Sequence, residues 1–380
     1  MPKIVARIAK LALSAGLVVY LLTGVSSEAF DLLRQPKDWP ALLAGFALCG
    51  AAICLTFIRW GFLVRALGLP LPTWQAFRIG ALGYLCNLLA PFGAAGGDGL
   101  KVALLSWRVP GGLARSLASV LIDRLIGLYT LFVLASLALL YCGLPASHLP
   151  ALHTLSLATV AVTLIGAGMI LALLLAPISP EPLDAVCARI PLLGRQFTQF
   201  FQAILLYRNQ PRVLAAAAAM SLGVHVLFAT GVYCIACALP GATHTYAQHL
   251  VIVPLSATAG VLPLPVGPFE WVLETLYTAL PLADGGHVAA GRGLLIALGY
   301  RLATLSTACA GVLLSTWIPA RLPRLARSLR SDNRRAGAPP DLRPANGPAF
   351  GGQHADHGSQ EPAPFLPQQP TSRLNGAASA

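Results

Sequence analysis

Long apolar stretches constrain the fold of this chain more than any other feature of its sequence. Each of six stretches can cross the roughly 30 Å hydrocarbon core of a bilayer, which takes about 20 helical residues. Charged residues make up only 11% of the chain, against about 25% in a soluble domain. The stretches do not alternate as the strands of a membrane barrel do. The sequence therefore predicts an all-α, polytopic transmembrane helical bundle. Its predicted spans are Ile8–Val25, Ala41–Ile58, Leu117–Tyr141, Thr154–Ala176, Val213–Leu239 and Gly293–Ile318.

The first of these stretches also has the features of a secretory signal peptide. Lys3, Arg7 and Lys10 form a basic start, an apolar run follows, and the small residues Ser27 and Ala29 come next. Removal of the N-terminal span by cleavage therefore stays open. Cleavage would leave the orientation of the later spans unchanged.

Two further apolar segments are too short or too broken to be ordinary spans. Ile79–Pro91 runs straight into the glycine-rich segment Gly93–Gly99. Leu250–Val266 is interrupted by three prolines and a glycine. Proline removes a backbone donor and clashes with the preceding helical turn. At membrane depth, such segments must be buried in protein or line a wet cavity.

The distribution of Lys and Arg predicts how these segments sit in the membrane, because basic residues concentrate on the cytoplasmic side. The loops at residues 142–153 and 240–249 contain neither residue and are predicted to be external. Both sides of the first broken segment are basic. The basic residues flanking it are Arg59, Arg65 and Arg78, then Lys101, Arg108 and Arg115.

We therefore expect six spans plus two re-entrant helical hairpins, the first entering from the cytoplasm and the second from outside. Arg34, Lys37 and Arg292 would be external, and only Arg124 and Arg301 would lie within spans. The chain would be a multi-pass protein of the cell inner (plasma) membrane with both termini cytoplasmic. The alternative is eight spans, with both broken segments crossing; it places more basic residues outside.

Residues 321–380 differ in composition from the predicted transmembrane domain, residues 1–320. The segment is rich in Pro and Gly and poor in large apolar residues, so we expect a disordered cytoplasmic tail. A basic run at its start would attract anionic lipid headgroups, at about 1 kcal/mol per charge, or would simply act as a stop-transfer anchor. That run comprises Arg321, Arg324, Arg327, Arg330, Arg334 and Arg335.

Charged side chains at membrane depth mark the candidate sites, because each costs about 2.5–3.5 kcal/mol at a helix centre. The first cluster lies at the end of the first broken segment. In it, Asn87 would satisfy freed backbone groups, and Asp98 and Lys101 would engage a polar headgroup. A loop with a helix-capping Asp98 is the alternative. Asp123 and Arg124 are adjacent and point about 100° apart on a helix. Arg124 would either extend to the membrane surface or turn inward to Asp98.

The cluster at the second broken segment has the same order of features as the cluster at the first. In both, an apolar entry is followed by a proline and glycine tip and then by an acid. Glu270 and Glu274 are four residues apart on one helix face, so they repel unless a cation intervenes. Arg301 is the expected partner. Two interrupted segments in corresponding halves are typical of a transporter's central site. The alternative is a purely structural ion pair.

No pattern for a catalytic nucleophile, a metal site or a nucleotide-binding loop occurs in the sequence, so we predict no cofactor, no metal and no enzymatic activity. Asp98 and Gly99 stand where a Walker A loop would need Gly-Lys. Cys234 and Cys237 lie inside a span and are interpreted as helix packing. The net charge of +12 comes from loops and the tail, so it does not indicate a nucleic-acid partner.

These clusters resemble the lysylphosphatidylglycerol synthase transmembrane-region family, which comprises flippase-like integral membrane proteins. Lys101 stands where the family usually has Arg, Asp123 where many members have Glu, and Val266 and Pro268 where glycines are usual. The resemblance covers about residues 1–320. The residues that carry it are Asn87, Pro91, Gly93, Gly97, Asp98 and Lys101, then residues 120–127, then Pro263, Pro265, Gly267 and Glu270, and Arg301.

The resemblance implies lipid handling. Only a tail follows the bundle, so we expect no aminoacyltransferase domain. The predicted function is to bind or translocate a lipid between leaflets, of the aminoacylated phospholipid, glycolipid, polyprenyl-linked or hopanoid type. A membrane-embedded lipid-modifying enzyme and an accessory scaffold of a lipid-glycan pathway are the alternatives. The predicted partners are this lipid and either a second copy or a lipid-pathway enzyme. The candidate substrate-binding residues are Asn87, Asp98, Lys101, Asp123, Arg124, Glu270, Glu274 and Arg301.

Overall fold

The computed structural model describes residues 31–32, 34–89, 94–107, 112–144, 150–175, 204–262, 264, 266–282 and 285–317, together with the isolated residues 16, 19, 20, 23 and 202. This part of the chain contains helices and no strand. The predicted tail and the predicted first span, apart from scattered positions, lie outside it. The helices are α1 (Trp39–Ala66), α2 (Thr73–Leu89), α3 (Ala94–Ser106), α4 (Leu113–Tyr141), α5 (Pro150–Leu175), α6 (Pro211–Ala238), α7 (Tyr246–Thr258), α8 (Pro268–Ala279) and α9 (Arg292–Trp317).

Five of these helices, α1, α4, α5, α6 and α9, are long and apolar enough to cross a membrane. They coincide with the last five predicted spans. The prediction of an all-α, polytopic membrane bundle is therefore confirmed. The boundary predicted between residues 320 and 321 lies beyond the described residues and stays a prediction.

Both broken segments form helical hairpins. The first consists of α2 and α3, with 17 and 13 residues. The second consists of α7, a 3₁₀ turn at Ala259–Val261, and α8; α7 and α8 have 13 and 12 residues. At 1.5 Å per residue these arms measure about 18–25 Å, less than the roughly 30 Å core. The face from which each hairpin enters the membrane stays a prediction.

Helices α1 and α6 form the centre of the bundle, where their backbones touch. A Cβ added to Gly45 would lie 2.8 Å from the carbonyl oxygen of Gly231, and one added to Gly231 would lie 3.0 Å from that of Gly45. Further along, Arg59 contacts Ser221. Since the contacts run in opposite directions along the chain, α1 and α6 are antiparallel. Helix α5 packs on α4 at the periphery and is largely exposed.

The connection between α6 and α7 is held by buried polar side chains. Arg292 is only 3% exposed, and its Nη1 donates to the carbonyl of Pro240 at 2.6 Å. Its guanidinium satisfies carbonyls at the end of α6, and the predicted external side of Arg292 stays a prediction. His244 is also buried, and burial lowers the pKa of its imidazole.

The first hairpin depends on a close approach of α3 to α2 at Gly97. A Cβ added there would collide with the carbonyl oxygen of Gly83 and with the side-chain oxygen of Asn87. Gly99, two residues later in the same helix, has no heavy atom within 4 Å of such a Cβ. Glycine at position 97 is therefore required by packing, and glycine at position 99 is not.

We expect Gly97→Ala to destabilise the protein by about 1–3 kcal/mol, the typical cost of overpacking. Thermal unfolding in nanodiscs measures this, and Gly99→Ala in the same helix is the matched control. Equal unfolding temperatures for the two variants would contradict the packing of this hairpin.

Candidate functional site

An ion pair joins the first hairpin to α4. Arg124 donates two hydrogen bonds to the carboxylate of Asp98, from Nε at 2.6 Å and from Nη2 at 2.9 Å. Such two-point pairs are strong and directional. The choice that the sequence left open is thus resolved, since Arg124 turns to Asp98. The Arg124 side chain is nevertheless 47% exposed, so the rest of the protein covers it only in part.

Lys101 lies on the covered side of the same pair. Its Nζ is 3.9 Å from the Asp98 carboxylate and 5.5 Å from the centre of the Trp60 ring. The residue is only 4% exposed. Lys101 is therefore a buried member of the cluster, and its predicted cytoplasmic side stays a prediction.

Asn87 fixes the start of α3. Its side-chain oxygen accepts a hydrogen bond from the Gly97 N–H at 2.8 Å. The first N–H groups of a helix have no partner within that helix. The predicted capping of a freed backbone group by Asn87 is therefore present in the structure, and it holds Asp98 opposite Arg124.

A second ion pair joins the second hairpin to α9. Glu270, only 1% exposed, accepts from Arg301 Nε at 2.5 Å and from the Gly267 N–H at 2.8 Å. The guanidinium carbon of Arg301 also lies 5.6 Å from the centre of the Phe269 ring. The pairing expected between Glu270 and Arg301 is thus observed. Glu270 also caps its own helix, which fixes the direction of its carboxylate.

Glu274 has a different role from the one expected. Its two carboxylate oxygens accept from the N–H groups of Gly291 at 2.6 Å and Leu294 at 2.8 Å. It therefore caps the start of α9 and does not share a cation with Glu270. The expectation that the two acids face one cation fails because their side chains extend to different elements.

Asp123 is held by an arginine that the sequence reasoning placed in a cytoplasmic flank. Arg59 donates to the Asp123 carboxylate at 2.8 Å and to Ser221 Oγ at 2.5 Å. The side chains of Arg59 and Asp123 are both about 95% buried. Helix α1 continues to Ala66, so Arg59 lies inside the helix and not beyond its end, while its predicted cytoplasmic side stays a prediction. The apolar residues that follow Arg59 were the signal that could have revealed this continuation of the helix.

Two tyrosines lie near the two ion pairs. The side chains of Tyr84 of α2 and Tyr300 of α9 are close enough to interact electrostatically. The Tyr84 side chain is also close enough to both Arg124 and Arg301 to interact with their charges. Nothing in the spacing of these tyrosines pointed to this contact, because it depends on how α2 packs against α9.

The site thus contains two acid–arginine pairs, of which the Asp98–Arg124 pair is the more exposed. Guanidinium groups recognise phosphate and carboxylate groups through parallel hydrogen bonds. Within the described residues, no group of three or more metal-ligating side chains occurs. Of the two guanidinium side chains, that of Arg124 is the less covered by the rest of the protein.

The buried Arg59–Asp123 pair gives a direct test of this interior. Arg59→Met leaves the Asp123 carboxylate uncompensated, which should cost about 3–5 kcal/mol of stability. The double variant Arg59→Met, Asp123→Leu should recover most of that loss, because it strands no charge. Urea unfolding of the protein in detergent micelles measures both.

Arg34→Met is the matched control, since Arg34 pairs with Asp31 while both side chains are exposed. An exposed pair contributes about 1 kcal/mol at most. The assignment of a buried pair fails if Arg59→Met is as mild as this control.

Comparison with known proteins places the chain in a family. No curated protein matches its sequence. The profile of the lysylphosphatidylglycerol synthase TM region matches residues 7–311, which include both hairpins and both acid–arginine pairs. The chain therefore belongs to the lysylphosphatidylglycerol synthase TM region family.

Proposed function

We propose that this membrane protein binds a lipid by its headgroup and translocates it between the leaflets. The observation that carries the proposal is the presence of two acid–arginine pairs at the starts of two short helices inside an apolar bundle. A charge at membrane depth is retained when it is paired or serves a substrate path. Membership of the family agrees with a role in lipid handling.

The depth of the arginines supports this path. Arg124 is the twelfth residue of α4 and Arg301 is the tenth residue of α9. At 1.5 Å per residue, each lies about 14–17 Å from the start of its helix, inside a helix of 26 or 29 residues that is long enough to cross a core of about 30 Å. In the proposed function, the headgroup moves from Arg124 past Tyr84 and Tyr300 to Arg301, while the acyl chains stay in the surrounding lipid.

In the proposed function, the protein lies in the inner membrane of the cell. Both of its termini are in the cytoplasm. The first hairpin then faces the cytoplasm and the second faces outward. Net transport would draw on a gradient or a partner, and in their absence the protein would equilibrate lipid between leaflets. The proposed partner is the lipid itself.

The proposal is tested by extracting the protein in native nanodiscs and identifying the retained lipids by mass spectrometry. We expect the wild type to be enriched in one lipid class relative to the membrane. The double variant Asp98→Asn, Glu270→Gln should lose that enrichment, because each arginine loses the carboxylate that positions it.

Asp31→Asn is the control, since Asp31 lies in an exposed ion pair. It should retain the same lipid class as the wild type. Bulk membrane lipid in all three proteins would contradict headgroup binding at the two pairs and favour a scaffold, whereas a covalently altered lipid would favour an enzyme.

A further inference from the structure

The described helices contain the same four-helix unit twice. Helices α1 and α6 each have 28 residues. The hairpin α2–α3 corresponds to α7–α8, and α4, with 29 residues, corresponds to α9, with 26. Each unit therefore consists of a long helix, a short hairpin and a second long helix. Helix α5 lies between the two units and belongs to neither.

The packing of the helices repeats in the same way. Helix α1 packs on α2 and α4, as α6 packs on α7 and α9. Contacts between the units are also matched, because α4 packs on α7 as α9 packs on α2, and α4 packs on α6 as α9 packs on α1. Every substantial contact among these eight helices thus has a counterpart when the units are exchanged.

The second unit is inverted relative to the first. Helices α1 and α6 are antiparallel, with Gly45 beside Gly231 and Arg59 beside Ser221. Antiparallel packing of these two helices is the arrangement that an exchange of the units by a two-fold rotation requires. The single long helix α5 accounts for the inversion, because one additional crossing starts the second unit on the opposite side.

The two acid–arginine pairs occupy corresponding places in the units. Asp98 is the fifth residue of α3 and binds Arg124 of α4; Glu270 is the third residue of α8 and binds Arg301 of α9. Their exposure differs, however. The Asp98 and Arg124 side chains are 17% and 47% exposed, while those of Glu270 and Arg301 are 1% and 25% exposed.

We propose that the two pairs are two copies of one headgroup-binding half-site, and that opening of one is coupled to closure of the other. The structure then represents the state in which the Asp98–Arg124 half-site is open. The inverted repeat supplies a second state of similar packing, with the exposures exchanged. This inference rests on the proposed function, since it assigns both pairs to the same lipid headgroup.

The coupling is tested by labelling cysteines with a membrane-impermeant, charged maleimide in proteoliposomes. One variant is Gly99→Cys, at an exposed position of α3 with open space around it. The other is Trp271→Cys, next to Glu270 and 47% exposed. Peptide mass spectrometry reads the label at each introduced residue, so the native cysteines are retained.

Breaking one pair should change labelling at both hairpins in opposite directions. Arg301→Gln should raise the labelling rate at position 271 and lower it at position 99, by at least about fivefold. Arg124→Gln should do the reverse. If a variant fails to fold, Glu270→Gln or Asp98→Asn breaks the same pair. Arg34→Gln, in the exposed pair, should change neither rate.

A change confined to the hairpin whose pair was broken would overturn the coupling, and so would no change at either hairpin. The readout needs no lipid of known identity. Lipid enrichment without coupled labelling therefore refutes this inference alone, whereas coupled labelling without lipid enrichment refutes the proposed lipid function alone.

Discussion

The pairing of arginines with carboxylates from neighbouring helices is the interaction on which this bundle depends. Arg59, Arg124 and Arg301 lie inside the long helices, where an uncompensated charge would be costly. Each is paired with an acid on another element. Helix rotation and hairpin position are therefore constrained together, because a shift of either would separate a buried charge from its partner.

The interrupted helices make this pairing compatible with a polar path. A helix that starts inside the bundle exposes N–H groups that need acceptors. Asn87 supplies one for α3, and Glu270 supplies one for α8. Glu270 accepts a hydrogen bond from a backbone N–H and also pairs with Arg301. In the first hairpin, Asn87 accepts from the backbone N–H and Asp98 pairs with the arginine. The Asp98–Arg124 pair is also the more exposed of the two.

Much of the fold and part of the site could be predicted from the sequence. Long apolar stretches and their interruptions located five described spans and both hairpins, because these features depend on local composition. The Glu270–Arg301 pair followed from the need to neutralise an acid at depth. The position of Arg59, the separate role of Glu274 and the contact between Tyr84 and Tyr300 depend on packing between distant helices. The repeated order of the two clusters was evident in the sequence, whereas the matched contacts between the two units depend on packing and were not.

Transbilayer movement of the co-purifying lipid class, measured in proteoliposomes with that lipid labelled in one leaflet, tests the central claim most directly. We expect the wild type to exchange the label far faster than protein-free vesicles. Arg301→Lys should be slow, because a lysine retains the charge but loses the two-point geometry. Equal exchange by a folded Arg301→Lys protein and the wild type, or no exchange by the wild type, would contradict a headgroup path through these pairs.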